Sequence, residues 1–274
     1  MQTSSKLLAC CLCETESSFY KNIDGFDLLR CKDCGLIHLK EVSTQAVNFL
    51  EEVTASEGQG KLEYWGYPEY FSKHKLIFDT FFLERYQRIK EQISLSGPWL
   101  DIGSGYGLWQ SFLKERNQIS LGLEIEKNAY EYAKKSGVDI LHISIEEYSS
   151  EQKFSVITMC DVLEHVESPM EVLKKCYDML IPGGLLYIQV PNVIGLKIPF
   201  GDSLGLPHHL WQFDHRTLRQ MTAKTGFKHL NYWTGVQGVI KYYERGGPGA
   251  LREFIWNFAR WSKRGNRLQL LVKK

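Results

Sequence analysis

Short apolar runs alternate with amphipathic stretches along the C-terminal two thirds of the chain. The runs with the length and composition of buried strands lie at residues 99–102, 119–124, 139–143, 154–160 and 185–190. Helical patterns separate them at residues 108–116, 126–136 and 169–180. This alternation predicts a doubly wound α/β fold, with a mostly parallel sheet covered by helices on both faces. Residues 226–233 and 267–272 are predicted to add two strands, giving seven in all.

One amphipathic helix is predicted ahead of the sheet, at residues 73–93. Its apolar face is formed by four residues at helical spacing, Phe78, Phe82, Ile89 and Ile93. The pair Gly97-Pro98 is predicted to end it. The aperiodic connector before this helix carries an aromatic cluster, made of Tyr64, Trp65, Tyr67, Tyr70 and Phe71. Two roles fit this cluster: a lid that stacks on a substrate, or packing between an N-terminal module and the domain that follows.

A second amphipathic helix is predicted at residues 249–264, with basic side chains around its apolar face. That face comprises Leu251, Phe254, Ile255, Phe258 and Trp261. We expect this helix to pack on an edge of the sheet with its arginines in solvent. A helix lying on an anionic membrane is the alternative, and it would suit a lipid-linked substrate.

Composition places the chain among folded globular proteins. Its 274 residues are 43% apolar and 24% charged, which excludes disorder and coiled coil as the main state. Basic and acidic side chains nearly balance, at 33 and 32, but residues 241–274 contain nine basic and two acidic side chains. No apolar run approaches the roughly 18 residues that a membrane-spanning helix needs.

The N-terminus carries a short apolar stretch, Leu7-Leu8-Ala9-Cys10, that is similar to a bacterial lipoprotein cleavage site. The stretch is too short for a signal-peptide core of about 7–15 residues. We therefore expect a cytoplasmic protein whose seven cysteines are reduced, so that a cysteine pattern indicates metal binding or catalysis before disulfides.

Four N-terminal cysteines have the spacing of a two-knuckle zinc site. The pairs Cys10-x2-Cys13 and Cys31-x2-Cys34 are separated by 17 residues. A segment of this size buries too little apolar surface to fold alone, and a metal explains how it can be ordered. The pattern predicts a zinc-ribbon-like module at residues 1–45 with structural zinc on these four thiolates, although a pairing through the neighbouring Cys11 stays open.

A glycine-rich loop follows the first predicted strand and opens a helix. Its sequence is Gly103-Ser104-Gly105-Tyr106-Gly107. Glycines let the backbone approach a ligand closely, and the helix N-terminus offers free N–H groups. The third glycine comes one position earlier than in the dinucleotide-binding pattern Gly-x-Gly-x-x-Gly. The loop alone therefore indicates a ligand site without identifying the ligand.

Two acidic residues near this loop indicate which ligand it takes. Asp101, immediately before the loop, is poorly placed beside a pyrophosphate and well placed beside an ammonium or sulfonium group. Glu124, at the end of the second predicted strand, can accept hydrogen bonds from both hydroxyls of a ribose. A nucleoside with a cationic tail satisfies both, and S-adenosylmethionine meets that description.

These residues resemble successive motifs of class I S-adenosylmethionine-dependent methyltransferases. The motifs lie, in order, at residues 100–107, at Glu124, at 160–166 and at 181–184, and the resemblance covers about residues 99–273. Together with the CxxC pairs, the aromatic connector, residues 208–213, Thr217-Leu218 and Gly226-Phe227, they resemble a subgroup with a zinc-binding N-terminus that often acts on sugars or other small metabolites. The domain is also similar to quinone-biosynthesis O-methyltransferases.

The resemblance implies a Rossmann-like cofactor site, residue by residue. Asp101 and the glycine loop would hold the methionine end of the cofactor, Glu124 the ribose and Ile125 one face of the adenine. Residues 144–146 would border the adenine. The full implied set is Asp101, Gly103, Ser104, Gly105, Tyr106, Gly107, Glu124, Ile125, Ser144, Ile145, Glu146, Cys160, Asp161 and Val162.

Methyl transfer to an alcohol or phenol needs a base, and histidine is the side chain best tuned for this near neutral pH. The candidates, in order, are His165, His209 and His208. His165 follows the fourth predicted strand, whereas His208 and His209 lie in the predicted loop after the fifth, where a substrate should enter. For each histidine taken singly, a structural or merely exposed role is the competing interpretation.

The sequence thus predicts a methyltransferase in three parts: the zinc module at 1–45, a connector and helix at 46–97, and the catalytic domain at 98–274. A small-molecule acceptor methylated at oxygen is expected. Sugar, quinone, polyketide and lipid-linked glycan all stay open, as do nitrogen and carbon acceptors and the oligomeric state. A zinc-containing nucleic-acid methyltransferase is disfavoured because acidic residues offset the basic ones of the N-terminal segment. A nicotinamide-dependent oxidoreductase is the other competing function, and it predicts binding of NAD instead.

Overall fold

A seven-stranded sheet forms the centre of the fold in the computed structural model, which describes residues 5–6, 9–42, 68–195, 204–235 and 250–274. Its strands are β6 (Trp99–Ile102), β7 (Ser120–Glu124), β8 (Ile140–His142), β9 (Phe154–Cys160), β10 (Leu180–Pro191), β12 (Lys228–Gly235) and β13 (Arg267–Lys273). The strand order is β12-β13-β10-β9-β6-β7-β8. The predicted doubly wound, mostly parallel α/β sheet is confirmed.

Strand β6 lies in the interior of this sheet because it pairs in parallel with both β7 and β9. Leu100 is opposite Leu121 on one side and Ile157 on the other. Leu100 and Ile157 have no exposed surface, as expected of strands that are covered on both faces. Because the strands are parallel, the loops that follow β6 and β7 emerge at the same edge of the sheet.

The helices are α1 (Pro68–Lys73), α2 (Lys75–Lys90), α3 (Leu108–Lys114), α4 (Lys127–Lys135), α5 (Pro169–Met179), α6 (His215–Lys224) and α7 (Ala250–Trp261). The predicted single helix at 73–93 is wrong in its bounds. It begins at Lys75, after the non-helical His74, and ends at Lys90, well before Gly97. Phe78, Phe82 and Ile89 are buried as predicted, whereas Ile93 lies beyond the helix and is only partly buried.

Of the predicted aromatic cluster, residues 64–67 lie outside the described residues, as does the side chain of Tyr70. Phe71, at the other end of the cluster, is described. Its ring centroid lies 5.2 Å from that of Phe78 and 6.1 Å from that of Phe82. Phe71 therefore packs on the apolar face of α2.

Helix α6 was not predicted. Its ten residues contain only two large apolar side chains, Leu218 and Met221, too few to be recognised in the sequence as an apolar stripe. Asp214 and Thr217 form a capping box, in which Asp214 accepts from the Thr217 N–H at 2.8 Å and Thr217 Oγ1 accepts from the Asp214 N–H at 3.1 Å. This cap fixes the start of the helix and is its clearest sequence signal.

The cysteine-rich segment contributes three strands to a small four-stranded antiparallel sheet. In order across the sheet, the strands are β11 (Trp211–Gln212), β4 (Ile37–Leu39), β3 (Phe26–Cys31) and β2 (Ser17–Ile23). Strand β11 comes from a distant part of the chain and pairs with β4, with Trp211 opposite His38. A separate two-stranded ribbon joins β1 (Ser5–Lys6) to β5 (Glu41–Val42).

The chain divides into two compact units by its internal contacts. One comprises Met1–Phe49, Asp161–Lys174 and Ile188–Leu270, and the other Leu50–Cys160, Lys175–Tyr187 and Leu271–Lys274. The glycine loop belongs to the second unit, and the histidine candidates and N-terminal cysteines belong to the first. Across the residues that the structure describes, no helix is long and apolar enough to span a bilayer.

Candidate active site

The glycine loop has a left-handed backbone at each of its three glycines. The φ angles of Gly103, Gly105 and Gly107 are 70°, 54° and 71°, values that are unfavourable for residues with a Cβ atom. A Cβ on Gly107 would lie 2.8 Å from side-chain atoms of Ala133 and Val138, whereas a Cβ on Gly105 would meet nothing within 4 Å. Gly107 is therefore needed for packing, and Gly105 borders open space that a ligand can enter.

Asp101 lies at the foot of this loop and is only 5% exposed. Burial raises the pKa of its carboxyl to about 6, against the opposing effects of Thr158 and Arg85. Thr158 Oγ1 donates a hydrogen bond to Asp101 Oδ1 at 2.5 Å. At neutral pH the carboxylate is charged and has little contact with solvent. A cationic ligand would therefore offset the free-energy cost of burying that charge.

Arg85 supplies positive charge near Asp101, and sequence analysis missed it. It lies on the apolar face of α2 and is 8% exposed. Its guanidinium carbon lies 4.8 Å from the ring centroid of Trp109 and 5.7 Å from that of Tyr187. These cation–π contacts stabilise a charge that would otherwise be costly to bury. Only its position among the apolar residues of α2 distinguishes Arg85 in the sequence.

Glu124 is the last residue of β7, and its side chain holds the glycine loop against the end of that strand. Its carboxylate accepts hydrogen bonds from the backbone N–H groups of Gly105 at 2.6 Å, Ile125 at 2.9 Å and Glu126 at 2.8 Å. Burial raises the pKa of Glu124, and these three bonds oppose that rise. A carboxylate has about four acceptor positions, so roughly one is left for a ligand hydroxyl.

The residues expected to border the adenine start beside Glu124. The N–H of Ile143 donates to the Glu124 carbonyl oxygen at 3.1 Å, which places residues 144–146 next to the end of β7. Within that stretch Ile145 is buried and Glu146 is exposed. Ile125 presents 57% of its surface to solvent, as an apolar contact for a flat ring requires.

In the other unit, Asp161 follows β9 with a strained backbone. Its φ of 56° is uncommon for a residue that is not glycine. Gln189 holds it twice: the Asp161 N–H donates to the Gln189 carbonyl oxygen at 2.8 Å, and Gln189 Nε2 donates to Asp161 Oδ2 at 2.8 Å. Arg267 Nε forms an ion pair with Asp161 Oδ1 at 2.9 Å. Backbone strain that is maintained by its surroundings is typical of functional sites.

Glu164, His165 and His209 form a compact cluster in the same unit. Each offers one oxygen or nitrogen ligand atom, and these atoms lie within 4.8 Å of one another. Glu164 has no exposed surface, and neither of its carboxylate oxygens has a hydrogen-bond partner among the described residues. The rings of His165 and His209 meet edge to face, with centroids 4.8 Å apart.

Glu164 is buried, whereas His209 is partly buried and His165 is exposed, and these surroundings determine where the protons of the cluster reside. Burial raises the pKa of Glu164 well above its usual range, and Asp161 adds to the rise. Desolvation by the surrounding protein lowers the pKa of His165, and it lowers that of His209 to about 3. At neutral pH both rings are therefore uncharged. Such a set can accept a proton from a substrate or hold a divalent cation.

A backbone contact fixes the tautomer of His165. Its Nδ1 lies 2.9 Å from the carbonyl oxygen of His208, which can only accept, so Nδ1 carries the hydrogen. The lone pair is then on Nε2, 4.0 Å from Glu164 Oε1. His208, itself a candidate base, contributes its main-chain carbonyl here.

Comparison with known proteins identifies the family. Residues 73–232, more than half of the chain, match a family described as a methyltransferase domain. The chain belongs to this methyltransferase family. The resemblance drawn from the sequence motifs is therefore confirmed at the level of the family.

Curated relatives of this methyltransferase include several proteins named ubiquinone biosynthesis O-methyltransferase. The protein from Coxiella burnetii strain RSA 493 / Nine Mile phase I is 31% identical over 169 residues, which cover 56% of this chain and 72% of the relative. The protein from Pseudomonas entomophila strain L48 is 32% identical over 113 residues, which cover 38% of this chain and 49% of the relative.

Solved structures share the fold of this methyltransferase. A SAM-dependent methyltransferase from Archaeoglobus fulgidus has 17% sequence identity and a TM-score of 0.55, covering 72% of this chain and 94% of that one. A SAM-dependent methyltransferase from Thermotoga maritima, described as a possible histamine N-methyltransferase, has 19% identity and a TM-score of 0.52. It covers 74% of this chain and 94% of that one.

The N-terminal cysteines of the methyltransferase converge as their spacing suggests. The Sγ atoms of Cys10, Cys13, Cys31 and Cys34 lie within 4.8 Å of one another, and those of Cys10 and Cys34 are 3.6 Å apart. Tetrahedral zinc with bonds of about 2.3 Å places sulfurs about 3.8 Å apart, so these four residues fit a zinc ion. Cys11 is not in this group.

Backbone N–H groups support the cysteine cluster. The N–H of Leu36 donates to Cys34 Sγ at 3.5 Å. Burial raises the pKa of Cys10 and Cys34, whereas hydrogen bonds from the Cys34 N–H and from Thr15 outweigh burial at Cys31 and lower the pKa of that thiol to about 6. Stabilised thiolates are the form of cysteine that binds metals.

Proposed function

We propose that this methyltransferase transfers a methyl group from S-adenosylmethionine to an oxygen atom of a small acceptor, a sugar, a quinone-like compound or another metabolite. The names of the curated relatives support oxygen as the acceptor atom. The observation that carries the proposal is the buried Asp101 carboxylate beneath an open glycine loop that is tied to Glu124. That arrangement suits a nucleoside with a cationic amino-acid tail.

Asp101 is proposed to accept hydrogen bonds from the cofactor's ammonium group. Thr158 orients the carboxylate, and Arg85 favours its charged form. Glu124 is proposed to use its remaining acceptor position on a ribose hydroxyl, and Ile125 to contact the adenine. When bound, the cofactor would supply a sulfonium methyl group that an oxygen nucleophile can attack, with S-adenosylhomocysteine as the leaving thioether. The protein's contribution is to align the two and exclude water.

His165 is proposed to remove the proton from the acceptor hydroxyl. The ring is neutral, its Nδ1 hydrogen is held by the His208 carbonyl, and its Nε2 lone pair is therefore available. His209 is a weaker base, since its pKa is lowered to about 3, and it instead restricts the His165 ring through their edge-to-face contact. Asp161 and Glu164 are proposed to position this segment.

The four clustered cysteines are proposed to hold a structural zinc ion. Zinc bound there would join the C-terminal end of β3 to the segment before β2. We assign it no step in methyl transfer.

Identification of a methylated product tests the proposed function. The full chain is incubated with S-adenosylmethionine carrying a labelled methyl group and a whole extract of its native cells, and labelled products are identified by mass spectrometry. We expect a small molecule labelled on oxygen. Label found only on nucleic acid or protein, or on carbon or nitrogen, would contradict the proposal.

A further inference from the structure

Helix α7 presents large aromatic side chains to solvent. Phe254, Phe258 and Trp261 are 66%, 46% and 79% exposed. Their spacing puts them on one side of the helix, where successive ring centroids lie 6.5 and 5.9 Å apart. Ala259, by contrast, is 1% exposed. Among the side chains of α7 that the structure describes, the small one is buried and the large apolar ones are not; we call these three rings the aromatic stripe.

Basic residues continue from the aromatic stripe past the end of the helix. Arg260, Lys263 and Arg264 are exposed, and no acidic residue occurs between positions 254 and 266. Lys263 Nζ donates to the Tyr232 carbonyl oxygen at 3.3 Å and lies 4.9 Å from the Tyr232 ring centroid, which anchors the end of α7 on β12. The stripe is therefore held on the protein and lies beside a cationic surface.

We propose that the aromatic stripe and its neighbouring cations form a docking surface for a membrane that contains anionic lipids. Aromatic residues on one face with arginine and lysine beside them are typical of helices that lie in the interface of a bilayer. Soluble monomers rarely expose contiguous apolar patches without a partner. Of the two placements considered from sequence, exposed aromatics favour the membrane over packing of this face against the sheet.

Charge decides between a lipid surface and a second copy of the chain. The region 241–274 contains nine basic and two acidic residues. In a symmetric contact through the aromatic stripe, this excess of positive charge would face itself, and like charges across an interface are unfavourable. An anionic headgroup layer attracts the same residues. The proposal does not depend on the acceptor or on the proposed base.

Vesicle flotation of the full chain tests this inference. We expect the protein to float with vesicles of phosphatidylglycerol and phosphatidylcholine, and to float much less with phosphatidylcholine alone. Raised salt should release it, because charges at a surface are screened. The variant Phe254→Ser/Phe258→Ser/Trp261→Ser is expected to lose at least about tenfold in partitioning, since its apolar contact is removed.

Matched variants distinguish binding through this surface from non-specific adsorption to vesicles. Phe19→Ser removes a ring that is 64% exposed on β2 and should leave flotation unchanged. Arg260→Gln/Arg264→Gln should lower partitioning by about fivefold for each removed charge, whereas Arg216→Gln/Arg219→Gln on α6 should not. Binding of S-adenosylhomocysteine and the circular dichroism spectrum show that each variant is folded, and the single Trp261→Ser variant replaces the triple one if it is not.

Five outcomes would overturn the inference. The first four are absence of flotation with anionic vesicles, equal flotation with neutral ones, full flotation of a folded stripe variant, and dimerisation that depends on the stripe in light scattering without lipid binding. Flotation that single-stranded DNA abolishes at low concentration would likewise assign the surface to nucleic acid instead.

Discussion

At the scale of single residues, the charge of Asp101 is central to the proposed cofactor site. Burial makes the carboxylate costly, and the site offsets that cost with the Thr158 hydroxyl and the Arg85 guanidinium. A cationic ligand adds to this compensation. Affinity for the cofactor should therefore depend on the ionisation state of this one group.

The first prediction concerns pH. The folded pKa of Asp101, about 6, lies above its ordinary value of 3.8, so its contribution to stability is complete below the unfolded pKa and is lost as pH rises through about 6. Ligand binding has the opposite dependence because it needs the charged form. We expect the affinity for S-adenosylhomocysteine, measured by calorimetry, to fall about tenfold per pH unit below about pH 6.

Asp101→Asn should flatten this pH profile. It should also weaken binding at neutral pH by roughly ten- to hundredfold, the worth of a hydrogen bond to a charged group. The Asp178→Asn variant, which alters an exposed carboxylate on α5, serves as the control and should retain the wild-type profile. Affinity that does not change between about pH 5 and 7 in the unaltered protein would show that Asp101 does not hold the ligand.

The second prediction concerns His165. His165→Asn should lower kcat by about 10²–10⁴-fold, the usual contribution of a general base, and leave the affinity for S-adenosylhomocysteine unchanged. His215→Asn, on α6, is the matched control and should keep full activity. The metal content of both variants is measured because Glu164, His165 and His209 can also hold a cation, and chelation would not distinguish that cation from one on the four cysteines. If His165→Asn lost a metal ion that His215→Asn retained, this cluster would be a metal site and the assignment of His165 as base would be wrong.

At the scale of elements, the glycine loop contains two glycines with different constraints. We predict that Gly105→Ala folds with a loss of about 1–2 kcal/mol from its left-handed backbone but binds the cofactor poorly. Gly107→Ala should be destabilised further, by about 1–3 kcal/mol more, because its methyl group would collide with Ala133 and Val138. Denaturant unfolding measures the stability of both variants, and calorimetry measures the affinity of Gly105→Ala for the cofactor. Unimpaired binding by Gly105→Ala would place the ligand elsewhere.

The cysteine cluster yields the fourth prediction. Freshly purified, reduced protein should contain one zinc ion per chain, and chelation should lower its melting temperature. Cys34→Ser should lose the metal, whereas Cys11→Ser should keep it because Cys11 lies outside the cluster. Zinc content near zero in reduced wild-type protein, or equal loss from both variants, would contradict this assignment.

Elements with a regular apolar pattern were predictable from the sequence. The strands from β6 to β9 are apolar runs with turns at both ends. Their predicted and observed ends therefore differ by at most one residue. Helix α6 was missed because its pattern is mostly polar. The pairing of β11 with β4 joins residues far apart in the chain, and no local signal specifies such a contact. Arg85 and Glu164 owe their significance to burial among distant residues, which periodicity does not show.

At the scale of the whole molecule, the fold and family are those of a methyltransferase, and the proposed parts lie in two compact units. The cofactor loop, Asp101 and Glu124 belong to one unit, and the proposed base and zinc site to the other. Binding of the cofactor can therefore be tested separately from methyl transfer and from zinc binding. Loss of His165 or of zinc should impair catalysis or stability without changing the specificity of the cofactor site.

Calorimetric titration of the full chain with S-adenosylmethionine, S-adenosylhomocysteine and NAD tests the central claim most directly. The account predicts that the first two bind at one site per chain, that Asp101→Asn weakens both, and that NAD produces no heat of binding. Heat with NAD, together with none from either S-adenosyl compound, would contradict it.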